Sequence, residues 1–109
     1  MPLNFADRLT AAIKQRNSRV VVGLDPVYDK LPDVLKQRAE GMGLPWPDGE
    51  LWAIHEFCAQ LIAATGPLAC AFKPQIAFFE RYGGRGLLVL EKLLDEHREH
   101  LFIVDCKRG

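Results

Sequence analysis

An aspartate and a lysine stand one residue apart at the end of an apolar run, in the stretch LFIVDCKRG. Residues 101–104 of this stretch predict a buried strand, and Asp105 and Lys107 follow where the strand runs out. Their spacing places both side chains on the same side of an extended backbone. A carboxylate and an ammonium held together at the C-terminal end of a strand suggest a functional site.

Two more strands are predicted, and each also ends at an ionisable residue. The stretch RVVVGLDP has three consecutive β-branched residues at 20–22, which predict a strand buried on both faces and stopped by Asp25 and a proline. The stretch LACAF predicts a second strand, which ends at Lys73 before a proline. In parallel α/β folds these strand ends share one face, and that face hosts ligands. We therefore expect the four charged residues to converge at one ligand-binding site on this face.

Each of these residues also has a simple structural interpretation. Asp25 before a proline is a common turn residue, and Lys73 could be a solvated strand end. Asp105 and Lys107 could form an exposed salt bridge, which usually contributes less than about 1 kcal/mol. Charged residues at all three strand ends favour a shared site over three separate coincidences.

The remaining segments predict the helices that position the strands. Residues 4–15 place Phe5, Leu9, Ala12 and Ile13 on one helical face, with Asn4 as a possible N-cap.

Four later segments complete the helical pattern. Residues 50–66 give the strongest helix, with Gly66 as a fitting residue just after its end, and residues 87–100 are strongly amphipathic. Shorter helical pieces are predicted at 31–41 and 75–83. Strands separated by helical crossovers predict a parallel α/β fold.

Length and composition exclude several classes of function. The chain has 109 residues, enough for one modest domain, with 49% hydrophobic and 26% charged residues. Lys plus Arg and Asp plus Glu both number 14, which gives no support for a nucleic-acid or anionic-membrane partner. No apolar run approaches the roughly 18 residues of a membrane span, and the N-terminus does not have the pattern of a signal peptide. Three cysteines without a CxxC motif favour a reducing cytoplasm.

Other residues that could bind metal give weaker signals. His55 and Cys58 lie one helical turn apart, but two ligands without a third favour core packing over a metal site. His97 and His100 near a helix end favour interaction with the helix dipole. Glycines 83 and 84 in YGGRG are interpreted as a hinge between two helical pieces and do not match a phosphate-binding loop. We predict no metal site.

Three stretches resemble motifs of the orotidine 5'-monophosphate decarboxylase family, which catalyses the last step of de novo UMP synthesis. They are VGLDP at 22–26, AFKPQIAFFERYG at 71–83 and DCKRG at 105–109. The last resembles the start of the family's Asp-x-Lys-x-x-Asp motif. FKPQIAFFE is similar to the longer bacterial branch, which also carries a long insert between the first two strands. The resemblance runs from about residue 5 to the end.

The resemblance implies a partial (β/α)₈ barrel. Such barrels typically need about 250 residues, and this chain supplies the first three parallel strands with their helices. Residues 1–109 are therefore expected to be the N-terminal part of a single barrel domain, truncated after the third strand. The second aspartate of the motif would be the next residue, and in the family it acts from the partner subunit of a homodimer. The phosphate-binding loops would lie later in the barrel.

The resemblance also implies the reaction and the role of each residue. The family converts orotidine 5'-monophosphate to UMP and CO₂ in the cytoplasm, with no metal and no organic cofactor. By resemblance, Lys107 is the proton donor at C6, and Asp105 lies against the substrate carboxylate and keeps Lys107 charged. Lys73 pairs with Asp105 and contacts the ribose, and Asp25 accepts a hydrogen bond from a ribose hydroxyl.

Three alternatives remain open. A sugar-phosphate decarboxylase of the same superfamily shares the Asp-x-Lys-x-x-Asp motif but uses magnesium, and FKPQIAFFE argues against it. A Schiff-base aldolase needs a lysine with a depressed pKa, whereas Asp105 beside Lys107 should raise that pKa. The third is a non-catalytic barrel fragment that exposes open sheet edges and associates with itself. The chain alone is expected to be inactive.

Overall fold

The computed structural model describes residues 5–104, which form helices around a small parallel sheet. In chain order the regular elements are α1 (Phe5–Arg16), β1 (Val21–Leu24), a 3₁₀ turn (Tyr28–Lys30), α2 (Asp33–Gly41), α3 (Asp48–Thr65), a second 3₁₀ turn (Gly66–Leu68), β2 (Ala71–Pro74), α4 (Ala77–Glu80) and α5 (Gly84–Glu96). Every helix predicted from the sequence is present within these residues. The possible N-cap Asn4 lies outside them.

The two strands pair in parallel, as the alternation of strands and helices predicts. Gly23 of β1 lies opposite Lys73 of β2 in the register. The predicted third strand is present as one parallel bridge between Phe72 and Phe102. Its hydrogen bonds run from the Phe72 N–H to the Leu101 carbonyl at 2.9 Å and from the Ile103 N–H to the Phe72 carbonyl at 2.8 Å. Asp105, the predicted end of this strand, lies outside the described residues.

The main core lies between one face of the sheet and the helices α3 and α5. Alternation along a strand points every second side chain to this face, and Leu24 and Phe72 are at most 1% exposed there. Ile54 and Ile62 of α3 and Leu93 of α5 belong to the same apolar cluster. Burial of these side chains, each worth about 1.5–3 kcal/mol, holds the crossover helices against the strands.

The opposite face of the sheet is only partly covered. Helix α1 packs Leu9, Ala12 and Ile13 against a second, smaller cluster around Ala71. Val21 lies on the part of this face that α1 does not cover, and it is 43% exposed. The prediction that residues 20–22 are buried on both faces is therefore wrong for this chain, because only one face has helices packed along its whole length. In a closed barrel that open face is the interior.

Gly66 does not end α3 in the way its position suggests. The helix does end at Thr65, but Gly66 has φ −49° and continues into the second 3₁₀ turn. A Cβ at this position would lie 2.9 Å from Cε1 of His100. The close approach of the imidazole to the backbone favours glycine here, because a Cβ would force the His100 ring to shift. A left-handed helix end is not the reason, since φ is negative.

A glycine-rich segment separates α4 from α5, as predicted for glycines 83 and 84. Gly83 has φ +69°, a conformation that favours glycine, and it stands immediately before α5. Gly86 in the first turn of α5 lies so close to α4 that a Cβ would fall 1.8 Å from the Phe79 carbonyl oxygen. The two helices are thus joined by a sharp turn and a backbone-to-backbone contact.

Candidate active site at the carboxyl ends of the strands

Asp25 and Lys73 lie at the same edge of the sheet. Asp25 directly follows β1, and Lys73 is the third residue of β2. Because the strands are parallel and in register, their carboxyl ends place the two residues side by side. Both line one pocket of about 140 Å³, whose described lining also includes Gly23 and Gln75. The structure thus brings together two of the four predicted site residues.

The other two predicted site residues, Asp105 and Lys107, lie outside the described residues. The described chain leads toward this same edge, because Phe102 pairs with Phe72, the residue immediately before Lys73.

Strand alternation explains why Lys73 reaches the pocket. Its neighbours Phe72 and Pro74 are buried against the helices, whereas Lys73 is exposed on the opposite side. Gly23 lies across from it and supplies no side chain to fill the space between the strands. A Cβ added at Gly23 would lie 3.5 Å from Oδ2 of Asp25, so the floor of the pocket is bare backbone next to a carboxylate.

Gln75 is a pocket residue that the sequence analysis did not identify. Its backbone N–H donates to the Leu24 carbonyl at 3.3 Å, which ties the end of β2 to the end of β1. The side chain is half-buried and lines the pocket with Asp25 and Lys73. A signal was present in the sequence, since residues two apart in an extended segment share a side, and Gln75 stands two positions after Lys73.

Cys58 lies beneath the site, and its thiol stays protonated. It is fully buried in α3. Burial, and secondarily the charge of Asp25, raises the pKa of the Cys58 thiol to about 12. Since the thiolate is the nucleophilic and metal-binding form, Cys58 is a packing residue.

A second polar cluster anchors the segment that follows β2. The Tyr82 hydroxyl donates to Oε2 of Glu50 at 2.7 Å, and Arg85 donates to Oδ1 of Asp48 at 2.7 Å. These contacts join the turn between α4 and α5 to the first turn of α3. Burial and the Glu50 hydrogen bond raise the pKa of Tyr82, so its hydroxyl keeps its proton.

The histidines face separate neighbours. His55 lies 2.6 Å from Oε1 of Glu96, and this hydrogen bond lowers the pKa of Glu96. His97 donates to the Leu93 carbonyl at 2.8 Å, as expected of a residue at a helix C-terminus.

His100 differs from that expectation and packs edge-on against Phe72, with ring centroids 5.2 Å apart. Within residues 5–104, no group of three or more His, Cys, Asp or Glu side chains is arranged to hold a metal ion. Among the same residues, no helix is both long enough and apolar enough to cross a membrane.

Comparison with known sequences gives a consistent result. No family model matches the chain. The orotidine 5'-phosphate decarboxylase of Roseiflexus castenholzii is 39% identical over 107 residues, which cover 98% of this chain and 35% of that protein. The orotidine 5'-phosphate decarboxylase of Azoarcus is 41% identical over 111 residues, again 98% of this chain and 36% of that protein.

Solved structures give the same relationship in three dimensions. The orotidine 5'-monophosphate decarboxylase of Leishmania donovani superposes with a TM-score of 0.67 at 29% identity, covering 98% of this chain and 34% of that one. The Plasmodium berghei decarboxylase superposes with a TM-score of 0.75 over 97% of this chain and 44% of that one; at 19% identity it supports the fold alone. The chain is therefore similar over 98% of its length to orotidine 5'-phosphate decarboxylases, and it spans about 35% of the length of the curated relatives it matches.

Proposed function

We propose that this chain supplies part of the site that decarboxylates orotidine 5'-monophosphate to UMP and CO₂. The observation that carries the proposal is the shared pocket of Asp25 and Lys73, which come from the ends of two different strands. The Asp25 carboxylate is a hydrogen-bond acceptor and the Lys73 ammonium is a cationic donor. Together, at the carboxyl ends of parallel strands, they suit a substrate that carries hydroxyl groups and a negative charge. The similarity to decarboxylases over 98% of the chain supports the same reaction.

The pocket residues are assigned to the ribose. The Asp25 carboxylate accepts a hydrogen bond from a ribose hydroxyl, and the Lys73 ammonium donates to the ribose. Lys73 also pairs with Asp105 in this proposal. Where a closed barrel buries such a pair, the pair is costly to break, because removal of one partner leaves the other charge uncompensated.

The chemical step is assigned to Asp105 and Lys107 on the family resemblance. The bond from C6 to the carboxylate breaks, and its electron pair stays on C6, where it cannot delocalise into the ring π-system. The Asp105 carboxylate disfavours the bound substrate carboxylate, and the Lys107 ammonium stabilises the developing negative charge. Lys107 then transfers a proton to C6, which gives UMP and leaves a neutral amine.

The proposal also includes the domain organisation of the chain, and the oligomeric state and cellular location of the complete enzyme. Residues 1–109 form the N-terminal part of one barrel domain. The complete enzyme acts in the cytoplasm as a homodimer in which a second motif aspartate comes from the partner subunit. The 109 residues alone are expected to be inactive, because the described strands cannot close a barrel.

A chimera tests the proposal. Residues 1–109 would replace the matching segment of the Roseiflexus castenholzii decarboxylase, to which they are 39% identical. Decarboxylation is followed by the loss of substrate absorbance. We expect the chimera to be active. Asp25→Asn and Lys73→Met should each lower kcat/KM by about 10- to 1,000-fold, the range for loss of a charged hydrogen bond or an electrostatic contact.

Matched control substitutions keep the charge changes but place them away from the pocket. Asp29→Asn and Lys92→Met alter exposed residues outside its lining. Both controls should keep kcat/KM within about twofold, since surface substitutions rarely change stability by more than about 0.5 kcal/mol. Equal activity of the pocket variants and the controls would refute the assignment of Asp25 and Lys73.

A further inference from the structure

We propose that a pocket where the end of α2 meets the start of α3 binds a guanidinium group, that of an arginine side chain or of a free arginine derivative. The pocket has a volume of about 250 Å³, and its lining includes two aromatic rings, of Tyr28 and Trp46, and two carboxylates, of Glu40 and Glu50. It shares no lining residue with the pocket that contains Asp25. The inference therefore does not depend on the proposed function.

The fold leaves this pocket open because the two helices meet through small residues. Ala39 of α2 and Gly49 of α3 both line the pocket. A Cβ added at Gly49 would lie 3.3 Å from the Ala39 carbonyl oxygen, so the two backbones are already close. Neither residue has a long side chain that could fill the space between the aromatic rings and the carboxylates.

The charge of the pocket favours a cation. Its described lining includes Glu40 and Glu50 but no lysine or arginine. Burial, and then the charges of Glu40 and Glu50, raise the pKa of Tyr28, so both carboxylates act on the same aromatic ring. Among residues 5–104, the side chain of Glu40 forms no hydrogen bond and no ion pair.

Two arginines of the neighbouring segment have other partners. Arg85 pairs with Asp48 at 2.7 Å, and the guanidinium of Arg81 lies 5.8 Å from the centre of the Tyr82 ring. Neither arginine is in the described lining, and the pocket can therefore accept a cation from outside this segment.

Tyr82 holds two of the lining residues in place. Its hydroxyl donates to Oε2 of Glu50 at 2.7 Å, and its ring centroid lies 6.3 Å from that of Trp46. Trp46 is nevertheless 73% exposed, so a ligand can reach its ring from solvent. The hydrogen bond from Tyr82 leaves Oε1 of Glu50 available as an acceptor, beside the two oxygens of Glu40.

A guanidinium group suits this set of acceptors better than an ammonium group does. It is planar, stacks on aromatic rings and can donate two parallel hydrogen bonds to one carboxylate. Glu40 can accept such a pair, and Trp46 supplies the ring type that attracts cations most strongly. The volume of about 250 Å³ equals the liquid volume of about eight water molecules, which is room for a guanidinium and the methylenes that carry it.

Calorimetry of the 109-residue chain with argininamide tests the inference. The matched ligand is citrullinamide, in which a neutral urea of nearly the same shape replaces the guanidinium. We expect argininamide to bind at least about tenfold more tightly than citrullinamide, and more tightly than lysinamide.

Substitutions in the pocket should remove this preference. Glu40→Gln should weaken argininamide binding by about 10-fold and Trp46→Ala by about 3- to 30-fold, with little change for citrullinamide. Both residues are exposed, so the variants should keep the fold. Glu91→Gln, an exposed residue of α5 outside this lining, is the matched control and should leave the affinity unchanged.

A capped peptide, acetyl-Gly-Arg-Gly-amide, distinguishes the two sources of the group. Tighter binding of the peptide than of argininamide would support the pocket and identify an arginine side chain of a protein; tighter binding of argininamide would support it and identify a free arginine derivative. Equal affinities for argininamide and citrullinamide, no binding of either, or equal effects of Glu40→Gln and Glu91→Gln would overturn the inference. None of these measurements requires turnover, so an inactive chimera would contradict the proposed function alone.

Discussion

The tight contact between α4 and α5 gives the sharpest stability prediction. A Cβ added at Gly86 would lie 1.8 Å from the Phe79 carbonyl oxygen, 2.8 Å from its carbonyl carbon and 3.1 Å from Cβ of Tyr82. Ordinary contacts begin near 3.4 Å, so the Gly86→Ala variant must separate the two backbones by about 1.6 Å. The obstacle is a main-chain carbonyl, which no side-chain rotation can remove.

The surroundings of α4 resist this movement. Phe79 is 1% exposed in the main core, and Tyr82 is held to Glu50 by a 2.7 Å hydrogen bond. Overpacking typically costs about 1–3 kcal/mol, and we expect Gly86→Ala to reach the upper end. The matched control is Gly84→Ala at the start of the same helix, where a Cβ meets nothing within 4 Å. Alanine there should stabilise the helix by about 0.5–1 kcal/mol.

Urea denaturation followed by circular dichroism measures both variants of the 109-residue chain at one protein concentration, because association of the chain contributes to its apparent stability. The two alanine variants should differ by about 3–4 kcal/mol in the free energy of unfolding, the sum of the destabilising and stabilising effects. Because small domains have only about 5–15 kcal/mol in total, this difference is large. Coincident unfolding curves for Gly86→Ala and Gly84→Ala would show that the backbones do not approach as described.

Three further predictions concern pH, a hydrogen bond and self-association. Burial lowers the pKa of His100, so stability should be complete above about pH 6.5 and fall as the pH drops below it. His100→Asn should flatten this dependence in urea titrations, and an unchanged slope would contradict it. Tyr82→Phe should cost about 1–2 kcal/mol in the same assay, but almost nothing in a Glu50→Gln background, and equal costs in both would exclude coupling between the two residues. The chain alone should sediment well above its 12.3 kDa monomer, and Val21→Lys on the open sheet face should shift it toward the monomer; a monomeric native chain would refute this.

The sequence predicted the elements that have a strong local pattern. The apolar stripe of α3, the amphipathic α5 and the break at Gly83 depend on neighbouring residues, and the structure has all three. The parallel pairing of β1 and β2 also followed from the order of elements. This order brought Asp25 and Lys73 to one edge of the sheet.

The features that the sequence did not predict depend on contacts between distant segments. The exposure of Val21 depends on which elements cover each face of the sheet, and three valines in a row carry no information about that cover. Gly66 matched a local rule for helix ends, whereas its actual constraint is His100, which is distant in sequence. Gln75 was missed because an uncharged amide does not stand out until the pocket around it is known.

The most direct test of the proposed site is the replacement of Lys107 in the active chimera. Lys107→Met should lower the rate of decarboxylation by about 100- to 10,000-fold, the usual contribution of a positioned proton donor, while UMP still binds. Lys92→Met, on the exposed face of α5, should leave the rate unchanged. An undiminished rate with Lys107→Met would contradict the account, because the end of the third strand would then play no part in the chemical step.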